Sequence, residues 1–147
     1  MVAVIVAAHG HLAEGLLASS SMIAGPQEDV TGITFDPSEG PEDLLAKYAA
    51  AIEASPSDEY LILVDLLGGS PYNAAARAAA TREDADVVTG VNLPMLVEVL
   101  GRRMLGADLA ELVEVARTAG SGGVQVLSEI FTPAPTTDDS DDEGDEL

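Results

Sequence analysis

Two almost uninterrupted apolar runs stand out along the chain, and each one ends in a residue with reactive chemistry. The first run covers residues 2–8 and leads into His9, and the second covers residues 60–64 and leads into Asp65. Runs of this length that are rich in Val, Ile and Leu are typical of strands buried on both faces, as in parallel sheets. We therefore predict two central strands whose carboxyl ends carry His9 and Asp65.

Between and after these runs, apolar residues recur at helical spacing or alternate as in strands. The helical spacing predicts helices over residues 12–24, 42–53 and 70–80, a helical region that begins near residue 94, and an apolar helical stripe over residues 105–116. Two shorter strands are predicted over residues 30–35 and 86–89. Serine and asparagine are good N-caps and proline suits a first helical turn, so Ser70 with Pro71, and Asn92, mark helix starts.

Strands that alternate with helices predict an α/β fold, with an open, mostly parallel sheet and helices on both faces. In a flavodoxin-like strand order of 2-1-3-4, the first and third strands are neighbours. The glycine-rich residues 120–123 predict a flexible turn, and the alternation over residues 124–131 favours a last edge strand. We expect one domain over residues 1–131 and a disordered acidic tail over residues 132–147, which hold no large apolar side chain before Leu147.

Charge is the strongest signal in the composition. The chain has 26 acidic and six basic residues, a formal net charge of −20, and no cysteine. Such an acidic surface disfavours nucleic acid and anionic membranes as partners, and without cysteine there is neither a disulfide nor thiolate chemistry. No apolar run is long enough to span a bilayer. We expect a cytoplasmic protein whose acidic coat is a solvated surface or an adaptation to high salt.

The two strand ends combine a histidine with a carboxylate. A carboxylate that accepts a hydrogen bond from one ring N–H fixes the tautomer and leaves the other nitrogen free as a nucleophile. We therefore predict that His9 is the chemical centre and that Asp65 orients its imidazole. The alternatives are a structural role for His9 and a loop-ordering role for Asp65, while His11 is expected to be a surface residue at the start of a helix.

A phosphoryl group on His9 would need hydrogen-bond donors around it. Helix N-termini that follow Gly10 and Ser70 offer backbone N–H groups and a favourable dipole end. Gly68 and Gly69 permit a close approach of the backbone, and the Ser70 hydroxyl can also donate. Gly10, Gly68, Gly69 and Ser70 are thus candidate phosphate-binding residues, although Ser70 could serve only as a helix cap.

Several other sites lack support in the sequence. There is no GxxxxGK[ST] loop, and the single lysine, Lys47, lies in a predicted helix. The first strand is not followed by GxGxxG, and no GxSxG elbow is present. A metal site would require His9 and His11 to share the ion with an acid, so we expect neither a metal nor another cofactor.

Three separated motifs carry a resemblance to a known family. They are the first strand with His9-Gly10, the segment VDLLGGSPYNAA at residues 64–75, and the segment GVNLPMLVE at residues 90–98. In this order the chain, over about residues 1–131, resembles the IIA component of the mannose family of the phosphoenolpyruvate-dependent sugar phosphotransferase system.

The resemblance implies a phosphohistidine carrier, and hence a phosphotransferase. His9 would accept phosphate from the phosphocarrier protein HPr and pass it to a IIB component, which in turn serves the IIC and IID membrane components. Asp65 would orient the ring, and the Ser70 region would line the phosphate site. The residues expected to contact partner proteins are Leu66, Leu67, Asn92 and Pro94.

The resemblance also implies a homodimer in which a last antiparallel strand is exchanged between subunits. Residues 124–131 match that strand in position and pattern. Family members are often fused to a IIB domain through an Ala/Pro linker, whereas here an acidic run follows residue 131, so IIB is expected to be a separate chain.

Three alternative functions stay open at this point. A phosphocarrier that feeds a dihydroxyacetone kinase would share the fold and His9, but we expect Met-Gly-Ser-Ala there in place of residues 68–71. A receiver with Asp65 as phosphoacceptor would need acids after the first strand and a late lysine, which this chain lacks. A regulatory dimer that only reports phosphorylation state is the third alternative.

Overall fold

The computed structural model of the protein describes residues 1–131. Four parallel strands form one sheet in the order β2-β1-β3-β4, as predicted. Their bounds are β1 Ala3–Ala7, β2 Val30–Ile33, β3 Tyr60–Val64 and β4 Ala85–Val88. The register pairs Ala7 of β1 with Ile33 of β2 and with Val64 of β3, so the carboxyl ends of the three strands lie side by side.

Helices cover both faces of the sheet, which confirms the predicted α/β class. Their bounds are α1 Leu12–Ala24, α2 Pro41–Ala54, α3 Ser70–Ala79, α4 Leu93–Met104, α5 Leu109–Gly122 and α6 Leu127–Ile130. Because strand side chains alternate between faces, Val4 and Val6 of β1 pack with α1, α4 and α5, whereas Ile5 and Ala7 pack with α2 and α3.

The sheet centre is the most buried part of the protein. Every residue of β1 and β3 is buried, including Ile5 at 1% and Leu63 at 0% relative exposure. Burying one such side chain contributes about 1.5–3 kcal/mol. The strand ends, which carry the polar residues, are therefore held on a rigid frame.

A buried arginine ties the opposite end of the sheet together. The Arg103 guanidinium donates to the carbonyl oxygens of Val2 (3.1 Å), Asp29 (3.1 Å) and Glu28 (2.6 Å). Burial lowers the pKa of this guanidinium below its usual value. The end of α4 is thereby fastened to the start of β1 and to the connection between α1 and β2.

Near the C-terminal end, one prediction is wrong and another is not met in this single chain. Residues 120–122 belong to α5, because Gly120 is buried against α4 and a Cβ there would lie 2.6 Å from Met95 Cε. The strand predicted over residues 124–131 is not formed, and residues 127–130 make a short helix instead. An edge strand needs a neighbouring backbone to pair with, and within residues 1–131 β4 pairs with β3 alone.

This last segment is exposed in spite of its apolar side chains. Val124 is 79% exposed, Leu127 78% and Ile130 61%. The predicted acidic tail over residues 132–147 lies outside the described residues. None of the helices within residues 1–131 is long and apolar enough to cross a membrane.

Candidate functional site

His9 and Asp65 meet at the carboxyl edge of the sheet, as the predicted strand order requires. The imidazole Nδ1 of His9 lies 2.8 Å from Asp65 Oδ2, and the His9 backbone N–H donates to the same oxygen at 3.0 Å. The His9 side chain is 48% exposed and that of Asp65 only 14%. The carboxylate is therefore sheltered, while the ring that it holds reaches the surface.

This geometry defines the tautomer of His9. An ionised carboxylate can only accept hydrogen bonds, so Nδ1 carries the hydrogen and Nε2 keeps its lone pair. Nε2 forms no hydrogen bond to any group within residues 1–131, so it can act as a nucleophile. The second oxygen of Asp65, Oδ1, is buried and has no hydrogen-bond partner in this part of the chain, so the carboxylate is bound through Oδ2 alone.

The turn between β3 and α3 packs directly against the imidazole. A Cβ on Gly69 would lie 2.8 Å from His9 Cε1 and 3.4 Å from Nε2, so only glycine leaves room for the ring here. Gly68 has a φ of +84°, a left-handed conformation that glycine adopts without strain. Its carbonyl accepts a hydrogen bond from Asn73 Nδ2 at 3.2 Å, which fixes the turn against α3.

The helix α3 begins at residue 70, as predicted, but its cap lies one residue earlier than predicted. Gly69 is the N-cap, and Ser70 and Pro71 occupy the first helical turn. Glycine is an acceptable N-cap and its missing Cβ is needed for the histidine, which explains the shift. The Ser70 hydroxyl makes no hydrogen bond within residues 1–131 and is not used as a cap.

Sequence reasoning missed Phe35, which forms a further side of the site. Its ring contacts the His9 ring edge-on, with centroids 5.9 Å apart and planes at 76°. Gly10, with a φ of +58°, exchanges two backbone hydrogen bonds with Phe35, of 2.8 and 3.2 Å. The sequence could have indicated this role, because the predicted second strand ends at Phe35 and lies beside the first strand, which ends at His9.

The predicted partner-contact residues have different surroundings. Leu66 and Leu67 are 59% and 68% exposed, in the loop that begins at Asp65. Asn92 caps α4, accepting from Met95 N at 2.9 Å and donating to the Gly120 carbonyl at 3.0 Å. Asn92 is therefore occupied by structural hydrogen bonds.

The loop over residues 90–94 nevertheless borders the site. Val91 N donates to the Val64 carbonyl at 3.0 Å, immediately before Asp65. Pro94, which follows in the first turn of α4, is exposed. The third sequence motif thus reaches the same end of the sheet as the other two.

His11 lies at the surface, as predicted. It occupies the N-cap position of α1, and its side chain is 68% exposed, with Nδ1 3.2 Å from Glu14 and Nε2 3.5 Å from Asp36. Among residues 1–131, no group of three or more His, Asp or Glu side chains is arranged to hold a metal ion.

Comparison with known proteins identifies the family. The EIIA-man model, described as "PTS system fructose IIA component", matches residues 3–117. The chain belongs to the EIIA-man family. This confirms the resemblance drawn from the three sequence motifs, since the matched region contains all of them.

Proteins similar to this EIIA-man chain include a longer relative and one of about the same length. It is 41% identical over 139 residues to the "PTS system mannose-specific EIIAB component" of Escherichia coli K12, covering 91% of this chain and 43% of that protein. The chain thus spans less than half the length of that relative. It is 38% identical over 148 residues to the "PTS system fructose-specific EIIA component" of Bacillus subtilis, with both chains covered completely.

A solved structure supports the same fold. The phosphotransferase system component EIIA from Streptococcus agalactiae matches with a TM-score of 0.81 and 32% sequence identity. The match covers 88% of this chain and 99% of that one. The open parallel sheet described above is therefore the fold of a phosphotransferase system component.

Proposed function

We propose that this EIIA-man protein is a cytoplasmic phosphohistidine carrier in sugar uptake. His9 accepts a phosphoryl group from phospho-HPr and donates it to a IIB component, which serves the IIC and IID membrane components. The observation that carries the proposal is the 2.8 Å contact between His9 Nδ1 and Asp65, with Nε2 left free. Relatives specific for mannose and fructose favour a sugar system over a dihydroxyacetone kinase.

The first transfer follows from the tautomer. The Nε2 lone pair of His9 attacks phosphorus, a new N–P bond forms, and the bond between phosphorus and HPr breaks in line with it. The imidazole keeps its hydrogen on Nδ1 and becomes a cation, which the Asp65 carboxylate stabilises. In the second transfer a side chain of IIB attacks the same phosphorus, the bond between Nε2 and phosphorus breaks with its electron pair returning to Nε2, and His9 regains its neutral form.

The turn before α3 supplies the surroundings that a phosphoryl group needs. The first N–H groups of a helix have no acceptor inside the helix, and its N-terminus carries a partial positive charge. The start of α3 is adjacent to His9 through Gly69. We propose that the Gly68 N–H, the first N–H groups of α3 and the Ser70 hydroxyl bind the phosphoryl oxygens. The N–H groups of Gly10 and Gly69 already donate to the carbonyls of Phe35 and Leu66, so Gly69 serves by leaving room beside the ring and Gly10 by allowing the left-handed turn after His9.

Apolar side chains near His9 provide the docking surface for HPr and IIB. Leu66 and Leu67 are largely exposed next to Asp65, and Leu12 at the start of α1 is 48% exposed. We propose that these side chains, with Pro94 at the edge, are covered when either partner binds. Asn92 contributes to this surface by holding the loop before α4.

We also propose that the protein is a dimer formed through its last segment. The outer edge of β4 is unpaired within the described residues, and a cleft of about 520 Å³ lined by β4 and α5 lies beside it. The apolar side chains of residues 124–131 are exposed, so pairing this segment with β4 of a second copy would bury them. Truncation after residue 123 should then yield a monomer in analytical ultracentrifugation, and a truncated dimer would contradict this assembly.

Phosphorylation in a purified system tests the carrier role. The protein is incubated with labelled phosphoenolpyruvate, the upstream kinase and HPr, and wild type is compared with His9→Ala and His11→Ala. We expect base-stable, acid-labile label on wild type and on His11→Ala, and none on His9→Ala. His11 is the matched control because it lies two residues away and contacts only surface acids. Label retained on His9→Ala would refute the assignment.

A further inference from the structure

The only lysine of the chain has a defined role in the structure. Lys47 lies in α2, and its Nζ donates to the Thr34 carbonyl at 2.8 Å and lies 2.8 Å from Glu39 Oε2. A second contact of 3.0 Å reaches Oε1 of the same carboxylate. The side chains of Lys47 and Glu39 are only 34% and 21% exposed, so the pair is a partly sheltered one.

Glu39 continues the network into the loop that follows β2. Its carboxylate accepts the backbone N–H of Asp36 at 2.9 Å, and its own N–H donates to the Asp36 carbonyl at 2.9 Å. The hydrogen bond from Lys47 and the one from Asp36 lower the pKa of the Glu39 carboxyl below its usual value. Lys47 and Glu39 therefore fasten residues 34 and 36, on both sides of Phe35.

Phe35 transmits this arrangement to the imidazole. Its backbone pairs with Gly10, the residue after His9, and its ring packs edge-on against the His9 ring. The imidazole thus has the carboxylate of Asp65, the backbone at Gly69 and the ring of Phe35 around it. Within residues 1–131, Phe35 is the one of these three groups whose neighbours along the chain are held by an ion pair.

We propose that the Lys47–Glu39 ion pair is a positioning device for His9. It holds Phe35 against the imidazole and so keeps Nε2 aimed at the incoming phosphorus. Lys47 and Glu39 act through Phe35 and do not touch the reacting atoms. The effect on transfer rests on the proposed carrier function, whereas the effect on the ring does not.

The test reads the His9 ring directly and then the transfer rate. In proton–carbon NMR of histidine-labelled protein, a His11→Gln variant assigns the His9 signals, and Phe35→Leu gives the Hε1 shift without the aromatic neighbour. We expect Lys47→Met to move the Hε1 signal more than half of the way to that value. Phosphorylation from HPr should slow about tenfold, since small misplacements of a reacting group are costly.

An ion pair of similar exposure, far from the site, provides the matched control. Arg82 contacts Asp84 at 2.9 Å, with side-chain exposures of 34% and 39%, and the Asp84 carbonyl pairs with Tyr60 N at the opposite end of β3. Arg82→Met should leave the His9 signal and the rate unchanged. Lys47→Arg keeps a positive charge and should partly restore the wild-type His9 signal and the wild-type rate. If Lys47→Met does not fold, Glu39→Gln is used in its place.

Each outcome decides a separate point. An unmoved His9 signal in Lys47→Met, or an equal shift in Arg82→Met, overturns the positioning role. If the His9 signal moves in Lys47→Met but the phosphorylation rate does not change, the ion pair does not serve phosphoryl transfer. This outcome also overturns the positioning role. If wild type itself takes no label, the proposed function fails, and the NMR comparison still decides whether the pair positions the ring.

Discussion

Gly69→Ala is the substitution that tests the geometry of the site most directly. The backbone at Gly69 has φ −77° and ψ 169°, which alanine adopts freely, so the change adds no backbone strain. The new Cβ would lie 2.8 Å from His9 Cε1, whereas carbon atoms pack at about 3.5–4.0 Å. The imidazole must therefore retreat by roughly 1 Å to relieve the overlap.

That retreat has a calculable consequence for phosphoryl transfer. We expect the 2.8 Å hydrogen bond from Nδ1 to Asp65 to lengthen as the ring moves away from Gly69 by this amount. A displacement of about 1 Å in a reacting group can lower a rate about 100-fold. We expect a loss of this size in the rate of label transfer from HPr, together with a nitrogen-15 spectrum in which His9 no longer shows a single Nδ1-protonated tautomer.

Gly32→Ala controls for the general effect of an added methyl group. A Cβ on Gly32 would lie 2.9 Å from Leu17 Cδ1, so the overlap is nearly the same but falls on a flexible side chain away from His9. This variant should lose some thermal stability and keep the wild-type rate. If Gly69→Ala instead kept both the wild-type rate and the His9 tautomer, the claim that this glycine seats the imidazole would be refuted.

Three further predictions concern stability. Tyr48→Phe removes a buried 2.7 Å hydrogen bond to the Pro71 carbonyl and should lower the free energy of unfolding by about 1 kcal/mol, measured by urea denaturation. Burial, and then the charge of Asp65, raises the pKa of Tyr48, so the native state retains this proton above pH 10 and wild-type stability falls as the pH rises. The fall should be smaller in Tyr48→Phe, and identical slopes would contradict the assignment. Arg103→Met leaves three backbone carbonyls without their donor and should cost roughly 3 kcal/mol in the same assay; a loss under about 0.5 kcal/mol, the range of ordinary surface changes, would show that these bonds are replaceable. Because the net charge is −20, the melting temperature should rise between 0.1 M and molar KCl as repulsion is screened, and a melting temperature indifferent to salt would count against this reasoning.

The sequence by itself determined the order of the elements up to α5, and the bounds of those from α1 to β4 to within one or two residues. The stripe predicted over residues 105–116 was displaced, since α5 is Leu109–Gly122. The helix over residues 12–24 and the strand over residues 60–64 were predicted with the bounds that the structure has. Both depend on local signals, namely helical spacing that ends at Gly25 and an apolar run that ends at Asp65. The strand order then followed from general topology, and with it the meeting of His9 and Asp65.

Only the tertiary structure decided the contacts that depend on distant neighbours. Gly120 lies inside α5 because it packs against Met95, and Gly69 replaces Ser70 as the cap because His9 occupies the space of a Cβ. The roles of Phe35 and Lys47 likewise arise where the loop after β2 folds over the end of β1. Such contacts join residues far apart in the chain, and the pattern of apolar positions does not encode which pairs meet.

The segment over residues 124–131 shows this division most clearly. Its alternating pattern is that of a strand, yet in one chain it forms a short exposed helix. A strand exists only when another backbone accepts and donates its hydrogen bonds, whereas a helix satisfies them within itself. The sequence determined the position of this segment in the chain and its apolar side chains. Its conformation depends on whether the edge of a neighbouring sheet is available to pair with it.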